Sequence, residues 1–158
     1  KLASWTKAKL SLNSAGYSKG NLERFKELAL KRIPADTVVK KTINQIAITD
    51  YIVKGQSLFA AGKHAEALGS YQQGLKLDPT NIYVNQNIGF YYFNLSKPGL
   101  AIPYFKKALA LPGLNNGKTE FFLGLCYLNV GDKANACTYF KQAGNYPDAE
   151  KLLAANCR

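Results

Sequence analysis

The sequence predicts an all-α fold, a solenoid of antiparallel helix pairs, on three observations. First, small and aromatic residues return at a fixed interval: Gly55, Gly89 and Gly124 lie 34 and 35 residues apart, and Ala67, Ala101, Ala136 and Tyr71, Phe105, Phe140 keep the same steps. Self-similarity at that period means a stack of like units. Second, within a unit the apolar residues fall at helical spacing in two runs separated by a glycine. Third, prolines close the first two units, where a helix that needs the next amide hydrogen has to stop.

The N-terminal residues 1–47 form a helical extension. Aligning Gly16 with Gly62 puts Phe25 opposite Tyr71 and Pro34 one residue late, with Lys9 where the recurring glycine would be and Asn21 where the alanine would be. Residues 2–34 are thus either a degenerate fourth pair or an unrelated capping hairpin. From Asp36, placed as an N-cap, Val39, Ile43 and Ala47 step by four into Tyr51, so the first helix of the next unit extends backwards.

Three units follow, over 48–81, 82–116 and 117–146. In the first, Tyr51, Leu58 and Phe59 make one stripe, Gly62 a turn, and Ala67, Leu68, Tyr71 and Leu75 a second stripe that ends at Asp78-Pro79. The glycine of each first helix and the alanine of each second helix allow close approach, and the aromatic residue fills the space beside them. Residues 147–158 close the chain: Pro147, Asp148 and Glu150 open a short helix through Leu152, Leu153 and Ala154, acidic at its start as the helix dipole favours. Such a helix caps the exposed apolar end of a solenoid.

The central segment resembles tetratricopeptide (TPR) repeats. The second unit carries Ile88-Gly89, Tyr92, Ala101, Phe105, Ala108 and Leu111-Pro112, and the third Leu123-Gly124, Tyr127, Gly131, Ala136, Phe140 and Ala143. Lys54, Gly74 and a missing closing proline in the third unit depart from the pattern. On the same register Trp5 takes the first aromatic position of the degenerate unit. The resemblance implies a right-handed superhelix whose first helices line a concave groove. Its residues would be Ile52, Gln56 and Phe59, then Tyr83, Asn87, Phe90 and Asn94, then Lys118, Phe121, Phe122, Leu125 and Asn129. Aromatic rings beside amides suit a peptide segment of a partner protein, bound by a scaffold or assembly adaptor. Part of the run Phe90-Tyr91-Tyr92-Phe93 must pack between units instead, because four consecutive residues cannot face one way on a helix.

One TPR subclass grips an acidic chaperone C-terminus through a clamp of lysine, asparagine and arginine. Only Asn87 and Lys118 match it; Ile52, Gln56 and Phe122 hold the other places, too few cations to converge on a carboxylate. The wording, including Ala136-Cys137 and Phe140-Lys141-Gln142-Ala143, is similar to bacterial TPR proteins, some of them envelope-associated.

Composition bounds the alternatives. The 158 residues are 47% apolar with a net charge of +11, enough for one buried domain. Ten Lys or Arg against three acids lie in 1–47, and eleven against seven in 48–158. This balance suits an acidic partner, polyanion or anionic surface; the plainer reading is a solvated surface, and Lys31-Arg32 and Lys40-Lys41 are pairs rather than the runs of a nucleic-acid patch. Self-association through solenoid ends or aromatic faces is a further alternative. No apolar run approaches 18 residues and no signal-like segment opens the chain, which begins at Lys1 as a fragment or processed product would.

Elimination argues against an enzyme and implies no cofactor. The single histidine, His64, leaves no paired-histidine metal motif, and no phosphate loop or nucleophile elbow is present. Of the cysteines, Cys126 reads as a small core residue. Cys137 and Cys157 come together if the cap folds back, as a disulfide in an oxidising compartment or as two further buried thiols.

Overall fold

The structure is a computed structural model of the chain that describes residues 37–111, 113 and 117–157. It divides into two compact units, 1–43 and 44–158. Of the first, only the opening turns of one helix are described; the degenerate fourth pair expected over 2–34 and the capping role of Asp36 lie outside the described residues.

The described residues contain seven α-helices and no strand. They are α1 (Thr37–Ala60), α2 (His64–Leu77), α3 (Ile82–Asn94), α4 (Pro98–Leu109), α5 (Lys118–Asn129), α6 (Lys133–Ala143) and α7 (Ala149–Asn156). The 24-residue α1 begins well upstream of the repeated segment, in keeping with the apolar steps that lead into Tyr51. No helix among the described residues is long and apolar enough to cross a membrane.

Each pair is closed by the same turn. The Lys63 amide donates to the Leu58 carbonyl and Gly62 to Phe59; Lys97 donates to Tyr92 and Ser96 to Phe93; Asp132 donates to Tyr127 and Gly131 to Leu128, all at 2.9–3.1 Å. These six-to-one and five-to-two bonds satisfy the last carbonyls of α1, α3 and α5 and require a left-handed residue between the helices. Gly62 (φ 75°) and Gly131 (φ 85°) meet that requirement, whereas the middle turn places Ser96 at φ 56°.

Close approach within a pair rests on the recurring glycine. A Cβ at Gly124 would lie 2.7 Å from Cδ1 of Phe140, and one at Gly55 would collide with the Tyr71 ring. Beside these contacts Ala67, Ala101 and Ala136 are fully buried. The core continues between pairs: Ile48, Tyr71, Val84 and Ile88 join the first to the second, and Phe105, Leu123 and Cys126 join the second to the third.

At α3 the Asn81 side chain accepts from the amides of Tyr83 and Val84, an N-cap that fixes where the second pair begins. Buried Asn85 donates to the carbonyls of Pro79 and Asn81 and ties the incoming turn to the helix.

At the far end Ala149 of α7 is buried, and Leu152 and Leu153 pack on the cluster of Phe121, Phe140 and Ala143. Asp148, expected to open this helix, adopts φ 63° and makes no side-chain capping bond. Of the two cysteine readings, the structure has the disulfide: Cys137 in α6 is bonded to Cys157, with their Cα atoms 5.6 Å apart. Cys126 remains a free thiol in the core.

Candidate functional site

The first helices α1, α3 and α5 are joined edge to edge by polar and aromatic contacts. Between α1 and α3, Gln56 Nε2 donates to Asn87 Oδ1 at 2.8 Å, and Asn87 Nδ2 donates to the Tyr83 carbonyl at 2.7 Å. Between α3 and α5, Gln86 Nε2 donates to Thr119 Oγ1 at 2.7 Å. Phe90 meets Phe122 edge-on at 5.0 Å, and the Lys118 ammonium sits 4.6 Å from the Phe90 ring centroid. A cation over an aromatic face is attracted by the ring quadrupole, so Lys118 holds a place between two helices.

The twelve residues expected to line a groove divide by helical register. On α3, Tyr83, Asn87, Phe90 and Asn94 step by four, three and four, which keeps them on one stripe. Tyr83 is 49% exposed and Asn94 is exposed, while Asn87 and Phe90 are half-buried. One repeat later, Lys118, Phe122, Leu125 and Asn129 form the matching stripe on α5, with Lys118 and Asn129 exposed. On α1 the matching positions are Thr49, Val53, Gln56 and Ala60, all exposed.

Phe121 does not belong to this surface. It is 8% exposed, and its ring lies 4.9 Å from Tyr146 and 5.9 Å from Phe140, inside the third pair. The reason is its register: Phe121 falls off the stripe, at the place taken on α3 by Gln86, which is tucked against buried Thr119. Ile52 and Phe59 are likewise one step round from the α1 stripe. Both are half-buried against the first core cluster, and the Phe59 ring lies 5.6 Å from that of Tyr91.

Thr49, Val53 and Ala60 are not among the twelve expected residues, although the 34-residue step back from Tyr83, Asn87 and Asn94 leads to these exposed positions. Nor is Phe93, which meets Phe122 at 4.9 Å and helps seal the seam between α3 and α5. Phe90 serves that seam as well through Phe122, and it also packs against Phe105 of α4 at 5.1 Å.

The three stripes carry no acid and a single cation, Lys118. Their chemistry is hydrogen bonding by amides and apolar contact by Val53, Tyr83 and Leu125. Among the described residues no group of histidine, cysteine and carboxylate side chains could hold a metal ion. A shallow depression of about 300 Å³ lies elsewhere, lined by Lys106, Leu109, Ala110, Glu120, Tyr139 and Gln142, and contains none of the twelve residues.

Comparison with known proteins adds to this geometry. A TPR repeat model matches residues 55–96, and a tetratricopeptide repeat model matches 82–112 and 121–143. No curated protein sequence matches the chain. Among solved structures, the first TPR of Spaghetti (RPAP3) bound to the HSP90 peptide SRMEEVD is similar at TM-score 0.63 and 24% identity, covering 69% of this chain and 89% of that one. MamA is similar at TM-score 0.64 and 26% identity, covering 69% of this chain and 61% of its own. The N-terminal domain of stress-induced protein-1 from C. elegans has TM-score 0.67 at 18% identity, covering 73% of this chain and 98% of that domain. These likenesses show an all-α helical repeat fold.

Proposed function

The chain belongs to the tetratricopeptide repeat family, and from that premise we propose that it is a non-enzymatic protein-interaction module whose α1, α3 and α5 stripes bind a peptide segment of a partner, as a scaffold or assembly adaptor. The observation that carries this reading is the alignment of Val53, Tyr83, Asn94 and Asn129, exposed along three helices that are already fixed to one another. A surface ordered before binding loses little side-chain entropy when a segment docks. The RPAP3 domain, which is similar in fold, is bound to a peptide, and this supports peptide binding as the class of function.

The segment preferred here is apolar rather than acidic. The HSP90 peptide carries Glu-Glu-Val-Asp, whereas this surface has one lysine, held over Phe90, and an Asn87 amide engaged by Gln56 and by the Tyr83 carbonyl. Recognition of several carboxylates needs converging cations.

The test is selection of binding peptides from a displayed library on the full chain, followed by titration of the best peptide. Tyr83→Ala and Asn94→Ala should together weaken its affinity at least tenfold and leave the fold intact, since both side chains are exposed. Unchanged affinity in that double variant would contradict the proposal.

A further inference from the structure

The cap α7 is attached to the rest of the protein by a small apolar contact and by a covalent one. The helix has eight residues, too short to persist without support. Ala149 is its one buried residue; Leu152 and Leu153 are half-buried. The covalent attachment joins Cys137 in α6 to Cys157 at the end of α7, closing a loop across 20 residues. Both cysteines are partly exposed, so a reductant in solvent can reach the bond. The third cysteine cannot exchange with it: Cys126 is fully buried and its thiol is pushed up to about 12 by burial, which leaves almost no thiolate to attack a disulfide.

We infer that the Cys137–Cys157 disulfide is a redox-operated latch on the C-terminal cap: closed, it holds α7 over the end of the third helix pair; opened, it releases α7 and uncovers the apolar surface around Ala143, Tyr146 and Phe140. The opening reaction is exchange with a dithiol. One thiolate of the reductant attacks a sulfur of the bond and forms a mixed disulfide; its second thiolate then displaces that sulfur. Cys137 and Cys157 each gain one electron and one proton, and the reductant leaves as its own disulfide. The latch operates whatever the α1, α3 and α5 surface binds.

Hydrogen exchange read by mass spectrometry on the full chain tests it, comparing oxidised protein, protein reduced with dithiothreitol, and a Cys157→Ser variant. Closing a loop of this length restricts the open state strongly, so amides of residues 149–157 should exchange roughly a hundredfold faster in the reduced protein and in the variant. Amides in 82–109 should not change, and binding of an apolar dye should rise. Equal protection of α7 in oxidised and reduced protein would overturn the latch, as would alkylation of Cys157 in untreated protein. Loss of protection spread equally through α3 and α4 would overturn its confinement to the cap.

Discussion

Gly89 and Phe105 face each other across the second helix pair so closely that a Cβ on the glycine would lie 2.5 Å from Cδ1 of the ring. Phe105 is fully buried and cannot retreat without disturbing Phe90, 5.1 Å away, which itself supports Phe122. Gly89→Ala should therefore cost about 1–3 kcal/mol of stability through overpacking. Gly69, inside α2, has nothing within 4 Å of its would-be Cβ. There the same substitution should gain about 0.5–1 kcal/mol, because alanine loses less freedom than glycine in a helix. Urea unfolding of the two variants checks both signs.

The turn at Ser96 offers a gain from the opposite change. Its φ of 56° is a left-handed conformation that glycine adopts at the corresponding turns, Gly62 and Gly131. Ser96→Gly should raise stability by about 1 kcal/mol, and Ser96→Ala should bring no such gain. A thermal melt of each variant measures the difference.

The repeat interval was enough to locate the helix pairs, their close-packed glycines and the aromatic residues beside them, because those features depend on local spacing. Phe121 shows where this stops. Its neighbour Phe122 is on the surface stripe, Phe121 is one register step away, and only the fold reveals that Tyr146 and Phe140 enclose it. Carrying the stripe of α3 back by one repeat adds Val53 beside Gln56 on α1, with Ile52 and Phe59 one step round from it. The Cys137–Cys157 pairing was legible as one of two alternatives, since its choice depends on where α7 folds, and α7 is placed by the tertiary burial of Ala149.

Cys126 should be chemically silent in the folded chain. Burial raises its thiol to about 12 and no surface is exposed. A thiol reacts as thiolate, so moving from pH 7 to pH 9 remains far below its titration and should not bring on labelling. Native, unreduced protein treated with iodoacetamide at both pH values should carry no adduct by mass spectrometry, and one adduct after denaturation.

The surface reading can be tested directly by photochemical crosslinking in the full chain. A benzoylphenylalanine placed at Tyr83 or Asn94, on α3, or at Lys107, which is exposed on α4, reports what touches each position when the selected peptide is bound. Adducts from Tyr83 and Asn94 with none from Lys107 are the predicted result. Adducts from Lys107 alone would contradict the account and move the binding surface to the second helices.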